Sequence, residues 1–200
     1  SSEIFKIFED TIGTSRLVKV IAGQASNDWI ASKVLYELYN TYSSSADVYA
    51  IAPYFGGKVA GVIIDNGEDN TISIDEILNR AEASIYTKTA IWTTKNKLLA
   101  DTYNLPLIAY EGGQHIVGVG EDANNTTVNE KIIAANRDPR MKDLYLKMLA
   151  IWELNGGSLF TVFNNIVVPS KWGSWGILEY QNQPITDAPK YDAIREYINQ

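Results

Sequence analysis

The chain has 200 residues, with 24 acidic and 17 basic side chains, a formal net charge of −7 and no cysteine. This length fits one domain with a sizeable core, and the apolar and charged fractions are those of an ordinary globular protein. The acidic balance argues against nucleic-acid binding. The lack of cysteine excludes disulfides, thiolate metal sites and Cys nucleophiles. No apolar run is long enough to span a bilayer.

The first half of the chain predicts an opening helix and two buried strands. Apolar residues recur at helical spacing over 4–8, and Gly13 ends this helix. Residues 17–22 and 48–52 are short apolar runs rich in β-branched side chains, which indicates strands. Ser26 is an N-cap signal for the helix between them. We expect one apolar face on that helix, formed by Trp29, Ile30, Val34, Leu35 and Leu38.

The second half repeats the pattern. Residues 106–110 and 159–163 predict a third and a fourth strand. A long connection after Pro53 leads to two helices, the second of which carries Trp92. Three further signals mark helix starts: the capping box Ser73-x-x-Glu76, Asp138 before Pro139, and Pro189.

The order of these elements predicts an α/β fold with a parallel sheet, in one domain over residues 1–200. A helix is followed by four repeats of strand, connection and helix, and such alternation is typical of parallel sheets. Alternation alone does not distinguish an open sheet from a barrel. No Gly-rich dinucleotide motif or P-loop follows any strand, which disfavours nucleotide-binding versions of the fold.

Glu111 is the strongest candidate for a catalytic residue. Functional side chains in parallel α/β folds collect where strands end at their carboxyl edge, and Glu111 directly follows the third predicted strand. The glycines at 112 and 113 leave space beside it and allow a sharp turn. The alternative is a structural role, in which Glu111 pairs with an arginine or caps a helix.

Other residues at this edge suit a polyhydroxylated ligand, because amides hydrogen-bond hydroxyl groups and aromatic faces stack on sugar rings. Tyr54 either donates to Glu111 or forms a pocket wall. His115, the only histidine, is a ligand contact or a structural partner, and one histidine makes a poor metal site, so we expect neither metal nor cofactor. Trp172 and Trp175, in a glycine-containing loop, are placed for stacking. Weaker candidates for hydroxyl binding are Gln24, Asn164 and Asn165.

Two further groups of residues are assigned structural roles. Tryptophans within predicted helices are expected in the core: Trp29, Trp92 and Trp152. The pair Asn129–Glu130 has the form of a glycosidase acid motif, but it lies at a predicted helix start rather than a strand end. We therefore interpret Glu130 as a first-turn acid.

The segment 107–115, LIAYEGGQH, resembles a group of large microbial proteins that have a clan A, cellulase-like catalytic barrel. Three other stretches carry the same resemblance: 50–56 (AIAPYFG), 136–141 (NRDPRM) and 170–176 (SKWGSWG). The similarity runs over nearly the whole chain. It implies a retaining glycoside hydrolase that acts on a β-linked polysaccharide and is secreted or extracellular.

The resemblance also implies roles for individual residues. The nucleophile of clan A enzymes is a Glu at the end of the seventh strand, which corresponds to Glu111. The four strands are then the fifth to eighth of a (β/α)8 barrel, so the chain is its C-terminal half. Tyr54, at the end of the sixth strand, lies at a position near the nucleophile, and Trp172 or Trp175 matches the sugar-stacking tryptophan.

One departure from the pattern concerns the acid/base, a Glu at the end of the fourth strand, which this chain does not contain. Retaining hydrolysis needs two carboxyl groups about 5–5.5 Å apart, and a complete barrel has about 250 residues. The chain also starts without Met. We therefore expect a fragment with little activity by itself.

An open half-barrel exposes two sheet edges and apolar surface. We therefore expect the chain to pair with an upstream half of the barrel or to form a homodimer. Two alternatives remain open. One is a non-catalytic carbohydrate-binding barrel, and the other is a truncated or engineered half-barrel.

Overall fold

The computed structural model describes all residues, 1–200. The strands are β1 (Val20–Ala22), β2 (Val48–Ile51), β3 (Leu107–Ala109) and β4 (Gly157–Phe160). The α-helices are α1 (Ser2–Ile12), α2 (Asp28–Tyr36), α3 (Val59–Asp65), α4 (Ile74–Ser84), α5 (Ala90–Thr102), α6 (Thr126–Arg137), α7 (Arg140–Leu154) and α8 (Pro189–Ile198). None of them is long and apolar enough to cross a membrane.

The four strands form one parallel sheet in the order β1-β2-β3-β4, which confirms the predicted α/β class and the parallel pairing. Tyr49 of β2 lies opposite Ile21 of β1 and Leu107 of β3. Consecutive strands are neighbours in the sheet. After each strand, a helical connection returns the chain to the edge where the strands begin, so the next strand runs in the same direction. All carboxyl ends therefore meet at one edge.

The strands are shorter than predicted. The fourth differs most, because it runs over Gly157–Phe160 rather than 159–163. The ladder between β3 and β4 is irregular between Leu107 and Ala109. Beyond Phe160 the regular strand ends, although the N–H groups of Thr161 and Phe163 still donate to the carbonyls of Ala109 and Gly112, so residues predicted at the end of a strand lie in a loop at the carboxyl edge.

Burial follows the position of each strand in the sheet. Tyr49, Ala50 and Ile51 of the inner strand β2 are fully buried, whereas Val20 on the edge strand β1 is exposed. One core cluster packs α3, α4, α6, α7 and α8 together, and a second packs α2 and α5 against β1, β2 and β3. Continuous burial of inner strands is what helices on a parallel sheet produce.

The predicted apolar face of α2 is wrong in part. Ala31, Leu35 and the following Leu38 are buried, but Ile30 and Val34 are exposed. Trp29, predicted as core, is 65% exposed. Its ring lies instead under the Lys33 ammonium, 5.6 Å from the ring centroid. The other two helix tryptophans lie inward as expected: Trp152 is buried, and Trp92 packs half-buried against the second core cluster.

The long connection after β2 contains one short helix that was not predicted, α3, and then one continuous helical run. A π-helical turn, Ile85–Thr89, joins α4 to α5 where two separate helices were expected. The predicted N-cap is present, since the Ser73 hydroxyl accepts a hydrogen bond from the Glu76 N–H at 3.1 Å. Pro189 opens α8, also as predicted.

Candidate functional site

Aromatic side chains from three different strand ends meet at the carboxyl edge of the sheet. The ring of Tyr54, after β2, lies 5.5 Å from that of His115, after β3. Trp175, in the loop after β4, lies 5.1 Å from His115 and 6.1 Å from Tyr54, and Phe163 lies 5.9 Å from Trp175. All these pairs are edge-to-face. We call these four residues the aromatic cluster.

The Glu111 carboxyl group is half-buried beside this cluster. Burial raises the pKa of the Tyr54 hydroxyl, and the neighbouring negative charge of Glu111 raises it further. Burial, and then the charge of Glu111, also raises the pKa of Tyr110. Tyr54 is therefore protonated at neutral pH. Its hydroxyl lies near the Glu111 carboxylate, which places that carboxylate beside the aromatic cluster.

The two glycines after Glu111 are required by close packing. A Cβ on Gly112 would lie 2.5 Å from Cζ of Phe160. Gly113 has φ +147°, and a Cβ there would lie 2.8 Å from the Tyr145 hydroxyl. Any side chain at either position would displace an aromatic ring beneath the site. The glycine pair thus allows the chain to turn tightly and leaves Glu111 at the end of β3.

A short parallel bridge aligns the segments that carry Tyr54 and His115. The Phe55 N–H donates to the Gly113 carbonyl at 3.0 Å, and the His115 N–H donates to the Phe55 carbonyl at 2.7 Å. The Nδ1 atom of His115 is buried and has no hydrogen-bond partner. The imidazole is therefore held by ring packing and by its backbone.

The loop that carries Trp175 is held from beneath by two buried polar side chains. The Gln114 amide donates to the Ser174 carbonyl at 2.6 Å, and its Oε1 accepts from the Ile116 N–H at 2.7 Å. The Lys190 ammonium donates to the same Ser174 carbonyl at 2.6 Å. Burial lowers the pKa of Lys190 to about 7. Gln114 and Lys190, which the sequence did not single out as ligands, therefore position the loop.

The remaining predicted site residues lie outside the cluster or at its base. Asn164 contributes its backbone, whose N–H donates to the Trp175 carbonyl at 2.8 Å, and Asn165 is exposed. Trp172 is 67% exposed, with the Lys171 ammonium 4.7 Å from its ring centroid. Gln24 is exposed at the end of β1. The structure thus brings together Glu111, Tyr54, His115 and Trp175, but not Gln24 or Trp172.

Phe163 is the cluster member that the sequence did not predict as a site residue. It was predicted as the last residue of the fourth strand, but it lies beyond the end of β4, where its N–H donates to the Gly112 carbonyl at 2.8 Å. The pair Asn129–Glu130 lies within α6, not at a strand end, and Glu130 is exposed. No group of three or more His, Cys, Asp or Glu side chains is arranged to hold a metal ion.

A pocket of about 570 Å³ adjoins the cluster, with Tyr54 in its wall. It opens between the strand ends of β1 and β2 and the helical run α4–α5, and its polar wall includes Ser26, Ser84, Lys58 and Lys88. A second cavity of about 790 Å³ lies between α1 and α2, among Lys33, Glu37 and the first residues of the chain. Only the first of the two adjoins the aromatic cluster.

The fold and the site together define an α/β protein with a parallel sheet and an aromatic, carboxylate-bearing site at its carboxyl edge. No protein-family model, curated protein sequence or solved structure significantly matches the chain. The chemistry of the site therefore follows from its own residues. A fixed carboxylate beside exposed aromatic edges can accept hydrogen bonds from hydroxyl groups or attack an electrophilic carbon.

Proposed function

We propose that the chain is part of a retaining glycoside hydrolase that acts on a β-linked polysaccharide, with Glu111 as the nucleophile. The observation that supports it is the half-buried Glu111 carboxyl group at the end of β3, near the hydroxyl of Tyr54, whose ring packs with those of His115 and Trp175. Carboxylates at strand ends of parallel barrels are typical catalytic groups. A polymeric substrate also favours a secreted or extracellular location.

The proposed architecture is the C-terminal half of a (β/α)8 barrel, with β1 to β4 as its fifth to eighth strands. The sequential, all-parallel order of the sheet supports it, because neighbouring strands of such a barrel follow one another along the chain. Exposed apolar side chains on both edge strands, Val20 on β1 and Leu159 on β4, favour a covering partner. That partner is an upstream half of the barrel or a second copy.

In the proposed reaction, the Glu111 carboxylate attacks the anomeric carbon and the glycosidic oxygen leaves with a proton from a second carboxyl group. Water then attacks the glycosyl-enzyme and releases the sugar with retained configuration. The Tyr54 hydroxyl lies near the attacking carboxylate. Trp175 and the other rings of the cluster contact the apolar face of the sugar.

Glu111 is the one carboxylate in the four segments that directly follow the strands, residues 23–24, 52–55, 110–115 and 161–165. The proposed acid/base therefore comes from outside these segments. This requirement determines the experiment. A substrate whose leaving group departs without protonation tests the nucleophile by itself.

The experiment treats the chain with 2,4-dinitrophenyl 2-deoxy-2-fluoro-β-glycosides of glucose, mannose and xylose. We expect a covalent adduct in the intact mass with at least one of them, located by peptide mass spectrometry on Glu111, because the fluorine slows hydrolysis of the glycosyl-enzyme. The Glu111→Gln variant should remain unlabelled, and the matched control Glu130→Gln should label like the parent chain. An adduct on another residue, or no adduct with any reagent, would contradict the assignment.

The second candidate function is carbohydrate binding without cleavage. The absence of another carboxylate from the strand-end segments favours it. It predicts that the fluoro-glycosides do not label the chain and that the chain binds β-linked oligosaccharides. The Glu111→Gln substitution should change this affinity by no more than about twofold, and a Trp175→Ala substitution should abolish it. The two candidates are thus separated by the labelling result and by the dependence of affinity on Glu111.

A further inference from the structure

We propose that the pocket beside Tyr54 is a subsite for the carboxylate of a uronic acid, so that the polysaccharide recognised by this edge is acidic. The inference rests on the proposed function, which it deepens by naming the substrate class. We call this cavity the lysine pocket, after Lys58 and Lys88 in its wall.

The volume and the lining of the lysine pocket fit one charged sugar unit. Its volume of about 570 Å³ lies within the range of roughly 300–1,000 Å³ that is usual for small-molecule sites. Two lysines, two serines and the ring of Trp92 face it, and none of its lining residues is acidic. The chain as a whole has a net charge of −7, but the residues that line this pocket carry only positive charges.

The two ammonium groups have no partner within the chain. Neither Lys58 nor Lys88 forms a salt bridge or a side-chain hydrogen bond, whereas Lys142 contacts two carboxylates and Lys147 contacts one. Two uncompensated positive charges across a concave surface attract an anion. An ammonium group that meets a carboxylate forms a charge-assisted hydrogen bond, which is stronger than one between neutral groups.

The walls that carry the lysines are tied together. Lys58 belongs to the connection after β2, and the Gly56 N–H of this connection donates to the Ser84 hydroxyl at 2.7 Å. Thr89, next to Lys88, donates its hydroxyl to the Tyr54 carbonyl at 3.0 Å. These two contacts anchor the connection to the helical run on both sides of the pocket. The lysines are therefore presented from fixed backbone.

The position of the pocket relates it to the candidate catalytic residue. Tyr54 lines the lysine pocket and also lies near Glu111, so the two sites adjoin at this residue. Trp92 lies one helical turn beyond Lys88, on the same side of the run, and offers an aromatic surface to a sugar ring. A sugar unit in the pocket would thus be close to the unit at Glu111, with its carboxylate between the lysines.

The experiment measures affinity by isothermal titration calorimetry for matched neutral and acidic β-linked oligosaccharides. The pairs are cello-oligosaccharides with their C6-oxidised counterparts, manno-oligosaccharides with mannuronan oligosaccharides, and xylo-oligosaccharides with glucuronoxylo-oligosaccharides. We expect the acidic member of at least one pair to bind about tenfold tighter or more. Lys58→Gln and Lys88→Gln should each reduce this preference about tenfold, the effect of one hydrogen bond to a charged group. Lys95→Gln, which removes the same charge from an exposed position on α5 outside the pocket, should preserve it.

Each outcome separates this inference from the hydrolase proposal. Equal binding of the neutral and acidic members, or a preference that survives both lysine substitutions, overturns the lysine pocket and leaves the role of Glu111 standing. If the acidic oligosaccharides bind tighter through the lysines but the fluoro-glycosides do not label Glu111, the subsite stands and the hydrolase proposal is overturned. If no member of any pair binds, the lysine pocket is refuted. The lysine substitutions are made singly and together, and Lys58 is exposed, so its loss leaves the core intact.

Discussion

Replacing Lys190 tests how the loop of Trp175 is supported. This side chain, in the first turn of α8, is 2% exposed, and its Nζ donates to the Ser174 carbonyl at 2.6 Å. Burial lowers the pKa of the ammonium group from 10.5 to about 7, and the negative charge of Glu179 opposes this shift in part. The group is therefore partly neutral in the folded chain at pH 7 and fully charged in the unfolded chain.

The sign of the resulting pH dependence follows from proton binding. Between pH 7 and pH 10 the unfolded chain binds more protons at this lysine than the folded chain, so the free energy of unfolding rises with pH. With a folded pKa of about 7 and an unfolded pKa of 10.5, the rise between pH 7 and pH 9 is roughly 2 kcal/mol. Tyr49, Tyr54 and Tyr145, whose pKa values burial raises, oppose the rise near and above pH 10, so the range ends at pH 9.

The assay is urea denaturation of the parent chain and of Lys190→Met at pH 6, 7, 8 and 9, followed by tryptophan fluorescence. Methionine preserves the apolar stem and does not titrate. The difference in unfolding free energy between the two proteins should shift by roughly 2 kcal/mol in favour of the parent between pH 7 and pH 9. An exposed control, Lys95→Met, should follow the parent at every pH. A difference between parent and Lys190→Met that stays constant from pH 6 to pH 9 would show that burial does not lower the pKa of Lys190.

Two further predictions concern the base of the site. Gly112→Ala should lower the unfolding free energy by about 1–3 kcal/mol, because the added Cβ would lie 2.5 Å from Phe160. The control is Gly57→Ala, whose Cβ has no contact closer than 3.7 Å, and it should change the unfolding free energy by about 0.5 kcal/mol or less. Equal effects in urea denaturation would contradict this explanation. Gln114→Leu should lower the unfolding free energy by about 1–3 kcal/mol, because the buried Ile116 N–H loses its acceptor. The same substitution removes the hydrogen bond to the Ser174 carbonyl, so amide hydrogen exchange in the loop of Trp175 should become faster. Unchanged exchange in that loop would show that the amide does not hold it.

Helix boundaries and the strand order were largely predictable, because local patterns determine them. Gly13 follows the last residue of α1, and Pro189 is the first residue of α8. The Ser73 cap forms its predicted hydrogen bond. These signals act within a few residues, through backbone conformation and unpaired N–H groups, so they depend little on the rest of the fold. The parallel sheet followed in the same way from short apolar runs that alternate with helices.

Positions that depend on distant neighbours were not predictable. Trp29 satisfies the spacing of an apolar helix face but is exposed, because the helices that cover α2 pack on Ala31 and Leu35 instead. Phe163 belongs to the site through its packing on Trp175, a residue of the following loop. The two loop tryptophans have nearly the same local sequence, yet Trp175 enters the cluster and Trp172 does not. Side-chain burial is a property of packing between segments far apart in the chain.

The α/β class, the four strands and the placement of Glu111 at the end of a strand could be predicted from the sequence alone, since each of these depends on local periodicity and turn residues. The tertiary structure, in contrast, determines which of the candidate residues lie close together. It brings Tyr54, His115 and Trp175 together with Glu111 near Tyr54, and leaves Gln24 apart, because the register of neighbouring strands and the buried contacts beneath the loops determine those distances. It also revealed the lysine pocket, whose two lysines are 30 residues apart and join one cavity only when the connection after β2 packs on the helical run.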